Sequence, residues 1–322
     1  MLFRLAFVLT ILQCNAFEVP NADTVIVQSQ GGTGETPCGT PSQPCNSLYA
    51  AFASIGLDVN NPTRVDLKDQ SIVEAALNLG YKNVIIEPQT LTKISGRSDL
   101  GRPLLTVTSY SVFQARQLDF THFAATENQP LIFLNSSSTI TLNNCSFSPQ
   151  SLLKDRHQLQ PFISVQSGDL ALNDVHFSSI VFESCGAISS QVSGFFNKLN
   201  IIRCVFTHVT RISGQGSAID AKMGSNDVNI FESQFIGDVD DTPEQEGELQ
   251  CLWNSAQVHI QTGNLSVVGS SFRYLKEGAL SLDTTQATIT SSSSFTQNSP
   301  LLPSYSSFRR SIIIYRRGIR IV

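Results

Sequence analysis

Ile140-Thr141-Leu142-Asn143-Asn144-Cys145-Ser146-Phe147 closes on a phenylalanine, and the chain then repeats the phrase. Leu170-Ala171-Leu172-Asn173-Asp174-Val175-His176-Phe177 and Leu199-Asn200-Ile201-Ile202-Arg203-Cys204-Val205-Phe206 are its clearest other copies. Looser copies end at Phe235 and Phe272, an earlier one at Phe120, and a degenerate last one at Phe295. These phenylalanines lie about 23 to 37 residues apart. An internal period of this size marks stacked copies of one supersecondary unit, so the repeat decides the fold before any motif is consulted.

Each copy begins with apolar residues two apart, the spacing of a strand with one buried face. The next inward residue comes three places later. The extra residue breaks the alternation and forces a corner, at Asn143-Asn144, Asn173-Asp174 and Val268-Gly269 among others. Asn, Asp and Gly are the types that best tolerate a left-handed backbone. The closing pair forms a second strand that ends on the inward Phe.

A further strand lies upstream in each unit, at Pro130–Leu134, Pro161–Val165, Gly186–Ile188, Gly216–Ile219, Leu252-Trp253 and Gly278–Leu280. One such unit cannot bury its inner face, but stacked units spaced by about 4.8 Å can. The sequence thus predicts an all-β fold, a right-handed single-stranded parallel β-helix. Phe120, Phe147, Phe177, Phe206, Phe235, Phe272 and Phe295 form its core ladder. An antiparallel sandwich would not need the same corner at the same offset in six copies.

Ahead of the coils, residues 17–60 read as a cap. Thr24–Gln28 is a strand, and a Gly/Pro-rich turn region runs from Gly31 to Cys45. Asn46 or Ser47 can then cap a short helix through about Ile55, with Leu48, Ala51 and Phe52 on one side. A helix laid over the open end of a β-helix covers both apolar surface and unpaired backbone. Coils are expected over residues 61–300.

Residues 1–16 have the form of a secretion signal. Arg4 opens it, Leu5–Leu12 is apolar, and the cleavage site falls near Ala16. The apolar run is too short to cross about 30 Å of hydrocarbon. Secretion or display at the cell surface is therefore expected, with no transmembrane segment. Six cysteines remain after cleavage: Cys38, Cys45, Cys145, Cys185, Cys204 and Cys251. An even count in an exported chain permits disulfides. Cys38 and Cys45 are the pair close enough in sequence to expect bonded. Cys145 and Cys204 share one inward position two coils apart, about 10 Å, beyond disulfide reach. Sequons at Asn135, Asn144 and Asn264 mark a glycoprotein. Asn144 falls in a corner, so Asn135 and Asn264 are the expected acceptors.

The entry segment, a strand followed by Gly39-Thr40-Pro41-Ser42-Gln43-Pro44-Cys45-Asn46-Ser47-Leu48-Tyr49-Ala50-Ala51, resembles that of pectate-lyase-like β-helix proteins. The Gly-Ala-Ile runs with Phe-ending phrases are similar to the repeats of polymorphic outer-membrane-type proteins. They also resemble large β-helix surface proteins of anaerobic protists. The likeness spans about residues 24–300. One departure is that the residue three after Phe is seldom Asn here, Asn298 being the exception. The resemblance implies the fold and an adhesin-like surface role.

Chemistry is sparse. The Gly-His-Gly and downstream basic pair of polygalacturonase-like enzymes are missing, Gly214-Gln215-Gly216 having Gln at its centre. His122, His157, His176, His208 and His259 read as surface or turn residues. No catalytic residue, metal ligand or cofactor is assigned. The insertion from Gly237 to Glu248 offers Asp238, Asp240 and Asp241 as weak oxygen ligands for a cation, but a solvated acidic loop is the favoured reading. Charged residues are 15% of the chain and the formal net charge is −5, or −6 without Arg4, which excludes a nucleic-acid stripe. Residues 301–322 carry five arginines and no acid. They read as an atypical basic tail, truncated or mis-joined.

These features point to a structural, adhesive or ligand-binding solenoid contacting extracellular glycans or surface proteins. The alternative is a polysaccharide lyase or glycoside hydrolase of pectate-lyase-like fold. That alternative requires two carboxylates on one face of adjacent coils, within about 5–10 Å.

Overall fold

A computed structural model describes residues 23–96, 102–121, 129–148, 159–191, 196–214, 216–222, 225–237, 256–275, 278–290, 292–296 and 319–321. The described chain winds as a parallel β-helix of three strand ladders, and every strand pairing is parallel. In one coil the chain passes through a first-ladder strand (Gly168–Asn173), a second-ladder strand (His176–Phe182) and a third-ladder strand (Ile188–Gln191). The next coil repeats this with Phe196–Ile202, Val205–Arg211 and Ile219–Lys222. Toward the C-terminal end, Ala256–Val268 and Gly278–Ile289 run unbroken through the third and first ladders, which fuses those ladders into one sheet.

The second ladder carries the phenylalanines. Phe120, Phe147, Phe177, Phe206, Phe235, Phe272 and Phe295 stack ring on ring, with centroids 4.5 to 5.0 Å apart and planes within 13°. In-register pairing sets this spacing, because Phe147 lies opposite Phe177, and Phe177 opposite Phe206. Each ring contact adds about 0.5–1.5 kcal/mol beyond area burial.

The corner before each closing strand is a single residue of positive φ: Gln117, Asn144, Asp174, Arg203, Glu232 and Gly269, at 48 to 60°. Asn, Asp and Gly were expected there, yet Gln, Arg and Glu also serve. Left-handed backbone costs an ordinary residue about 1–2 kcal/mol. Strand pairing on both sides holds these residues in place. Arg203 also reaches down to the corner beneath it, with Nε and Nη2 each donating at 2.7 Å to the carboxylate of Asp174.

The residue after the corner points inward. Cys145 and Cys204 occupy that position, as do Ser233 and Ser270. All four donate to the carbonyl two residues back, at 3.4 Å for the thiols and 3.0 and 3.1 Å for the hydroxyls. The two thiols are buried and unbonded. Burial pushes them up to about 11 and about 12.

The cap is a seven-residue helix, Leu48–Ser54, packed against the edge strands Asp23–Val27 and Leu77–Gly80. Ser47 caps it by accepting from Ala50 N. Glu74, buried at the end of the first second-ladder strand, accepts from Leu48 N at 2.6 Å and Tyr49 N at 3.3 Å. Lys82 Nζ donates to Phe52 O near the other end. A buried carboxylate and a half-buried ammonium thus answer free N–H and C=O groups at the two helix termini.

Cys38 and Cys45 are disulfide-bonded. Their loop covers the outer edge of strand Asp23–Val27, with Ile26 N donating to Gly39 O and Cys45 N to Ile26 O, both at 2.8 Å. Gly39 has φ +109°, and a Cβ there would stand 2.5 Å from Val25 Cγ1. Strand Asp23–Val27 already pairs with Thr63–Leu67, so the first ladder begins inside the segment expected to be cap alone.

Two expectations need correction. The third-ladder strand expected at Leu252-Trp253 is instead Ala256 onward, with Val258 opposite Ile219; residues 252 and 253 lie outside the described residues. The tail was expected to leave the repeat, yet Ile319–Ile321 pairs with Ala287–Ile289. The signal segment 1–16, Asp238, Asp240, Asp241, Cys251, His122, His157 and residues 301–318 lie outside the described residues.

Candidate functional site

Two clusters of polar side chains stand out, one open and one buried. The open one lies on the outer face of the first ladder, near the N-terminal end. Register places Val65 opposite Ile86 and Ile86 opposite Ala115. The outward residues one step on, Asp66, Glu87 and Arg116, therefore form a row across three successive coils. With Thr24, Arg64 and Gln89 they line an open depression of about 480 Å³. Arg116 Nη1 donates to Glu87 Oε1 at 2.8 Å, Arg64 Nη2 stands 4.0 Å from Glu87 Oε2, and Lys68 Nζ donates to Asp66 at 2.5 Å.

These groups are a quarter to a half exposed. Ion pairs of this kind are worth about 0–1 kcal/mol. Their consequence is geometric: guanidinium and carboxylate groups are held side by side on a rigid ladder. Tyr81 and Tyr110 sit on successive coils at the turns that lead into the first ladder, 55% and 64% exposed, with φ of 56° and 61°. Bulky residues seldom adopt that backbone.

The buried cluster lies on the outer face of the third ladder. Asp220 is fully buried. Its Oδ2 accepts from Arg211 Nη1 at 3.0 Å and meets Lys222 Nζ at 3.0 Å, while its Oδ1 meets His259 Nδ1 at 3.0 Å. Arg211 also donates to Ser184 O, Ser213 O and Gly216 O, tying together the turns of two coils. Gly216 has φ +77°, and a Cβ there would stand 2.3 Å from Ile219 O and 2.8 Å from Asp220 Cα. The neighbouring Cys185 thiol is pushed up to about 12 by burial, with Arg211 opposing.

His259 is 6% exposed, which corrects the reading of the histidines as surface residues. His176 and His208 are exposed as expected. Arg211 and Asp220 were not singled out from the sequence, because Ile219 and Ala221 take the inward positions and leave Asp220 the parity of a solvent residue. The usable clue was Gly216 just upstream, whose left-handed backbone lies against that face.

Asp220, His259 and Ser281 are in register on three neighbouring strands. The order matches a Ser–His–Asp relay. However, His259 Nε2 is shut off from solvent and has no hydrogen-bond partner, so it does not engage Ser281. The column therefore lacks the contact that would activate a nucleophile.

Among the described residues, no group of three or more His, Cys, Asp or Glu is placed to hold a metal ion, and no helix is long and apolar enough to cross a membrane. Of the expected glycan acceptors, Asn264 is exposed and Asn135 is half-buried, its Oδ1 accepting from Ser136 N at 2.7 Å. Asn144 is exposed as well, because its corner turns the side chain outward. No protein-family model, curated protein or solved structure matches this chain at a significant level.

Proposed function

We propose that this chain is an exported β-solenoid that serves at the cell surface as a structural or adhesive module and binds extracellular glycans on its first-ladder face. The observation that carries this reading is the open, polar depression between Arg64, Asp66, Glu87 and Arg116. Sites for apolar small molecules are closed and largely apolar. This one offers planar charged and amide groups to solvent, the chemistry that engages hydroxyls in pairs. The exposed faces of Tyr81 and Tyr110 add flat aromatic surface at turns into the same ladder. A surface protein partner would use the same long faces.

A second reading is favoured by one specific feature. Asp66 and Glu87 lie on one face of adjacent coils, as a polysaccharide lyase or hydrolase of this fold would need. Both carboxylates are engaged by cations, whereas glycoside hydrolysis needs one carboxyl group that delivers a proton.

One experiment separates the readings. The purified chain is run in affinity gels containing neutral or uronate-rich polysaccharides, beside Arg116→Glu. Retardation lost in the variant, with no release of reducing ends or unsaturated uronides, is expected. Equal migration with and without polysaccharide would overturn the binding role, and robust product release lost on Glu87→Gln would favour the enzyme.

A further inference from the structure

We infer that His259 is a proton-operated clamp across three successive coils of the third ladder. The strands are Ile219–Lys222, Ala256–Val268 and Gly278–Ile289, paired so that Asp220 lies opposite His259 and His259 opposite Ser281. Asp283 is two residues further along the same face. The imidazole sits between two carboxylates, Nδ1 at 3.0 Å from Asp220 Oδ1 and Nε2 at 3.7 Å from Asp283 Oδ2.

Ionised carboxylates only accept hydrogen bonds, so Asp220 fixes the ring proton on Nδ1. In the neutral ring, Nε2 is then a lone pair, buried, unpartnered and facing a second acceptor. An unmet polar atom of this kind is costly, and two acceptors cannot relieve each other. A proton on Nε2 reverses the relation, because the ring becomes a donor at both ends. The gap to Asp283 must close by about 1 Å to reach the length of a charge-assisted bond. Asp283 can move to close it, since its side chain is 46% exposed. Asp220 has no such freedom, held by Arg211 and Lys222.

The charged and titratable groups facing the ring from the described residues are therefore Asp220, with Arg211, Lys222 and Cys185 behind it, and Asp283. Arg211 and Lys222 exceed Asp220 by one positive charge, which Asp283 cancels while the ring is neutral, so an added proton is held by the ring's hydrogen bonds to the two carboxylates. Protonation ties the Gly278–Ile289 strand to the two coils before it, and deprotonation releases that tie. The inference is independent of the glycan-binding proposal, which concerns a different ladder near the other end.

The test uses the full chain and amide exchange, expressed as protection factors so that intrinsic exchange rates cancel. Amides of Gly278–Leu282 are compared at about pH 7.5 and about pH 5.5. The wild type should gain about tenfold protection at the lower pH, the size expected of one charge-assisted bond. Asp283→Asn, a partly exposed change that preserves shape, should abolish the gain. His259 ring-nitrogen shifts should report a second ring proton at the lower pH. Protection that does not change with pH, a gain that survives in Asp283→Asn, or a ring that keeps a single proton would each overturn the inference.

Discussion

Replacing Phe177 probes the aromatic ladder where it is most complete. The ring is fully buried and stacks against Phe147 at 4.8 Å and Phe206 at 4.7 Å, with planes within 5°. Phe177→Ala should cost about 3–5 kcal/mol, the usual loss for a large core residue and the cavity it leaves. Phe177→Leu keeps most of the volume and removes the ring contacts with Phe147, Phe206 and, at 6.4 Å, Phe162, so about 1.5–4.5 kcal/mol is expected. Phe295 ends the described stack with one ring neighbour, Phe272 at 4.9 Å. Phe295→Leu should therefore cost about a third as much, roughly 0.5–1.5 kcal/mol. Ser178→Ala, one residue along and facing outward, should lie within about 0.5 kcal/mol of neutral.

Urea denaturation followed by circular dichroism gives the differences by linear extrapolation. Repeat arrays can unfold in segments, so amide exchange at Phe147 and Phe206 should accompany it. Equal costs for Phe177→Leu and Phe295→Leu would show that ring stacking is not the source of the stability. A Ser178→Ala cost matching Phe177→Ala would show that the inner face is misassigned.

Two further outcomes follow from the buried groups. Burial raises Cys145, Cys185 and Cys204 from 9.0 to about 11, 12 and 12, so the unfolded chain releases these protons at lower pH than the native one does. Their contribution is whole below about pH 9 and is lost as pH rises toward 11–12, a slope that Cys145→Ser with Cys204→Ser should flatten in denaturation midpoints. Arg211→Ala strips Asp220 of a buried partner and should cost about 3–5 kcal/mol in thermal or urea unfolding; Arg211→Lys should recover only part, because a single ammonium cannot span the carbonyls of Ser184, Ser213 and Gly216. A cost below about 1 kcal/mol for the alanine variant would mean that the cluster does not brace the turns.

What could be read from sequence follows from how each feature is encoded. The phenylalanine ladder, its corners and the capping helix are written within single repeats, so one phrase such as Leu199–Phe206 already contains the strand, the corner and the inward ring. The corner residues Gln117, Arg203 and Glu232 show where propensity was overruled, since paired strands on either side hold the left-handed backbone that composition alone would not assign. The third-ladder strand at Ala256 escaped because no break separates it from the first-ladder segment that follows. The side-chain partners escaped for a different reason. Glu74 meets a helix 26 residues earlier, and His259 meets an aspartate 39 residues earlier. The register that brings such partners together is set by coil length, which for His259 the Gly237–Glu248 insertion obscures.

The same rung of the solenoid shows why such contacts arise at all. Phe182 and Arg211 are direct register partners at the end of the second ladder. Each must fill the space where the chain leaves that ladder and turns toward the third. In one coil the filling is apolar, with Phe182 packed edge-on against Phe162 at 5.7 Å. In the next coil it is ionic, and a guanidinium buried there cannot stand alone. It recruits Asp220 from its own coil, Asp220 recruits His259 from the coil after, and His259 is left with an unmet nitrogen beside Asp283. A repeat that stays apolar at this rung, as Phe182 does, closes on itself. A repeat that turns polar passes its unsatisfied group to the neighbouring coil, and the chain of partners ends at a group able to gain or lose a proton. The coupling between coils is in that sense a consequence of replacing phenylalanine by arginine at one rung, and Arg211→Phe with Asp220→Ser, which rebuilds the Phe182-type filling, should leave His259 without its orienting carboxylate and remove the pH-dependent protection of Gly278–Leu282.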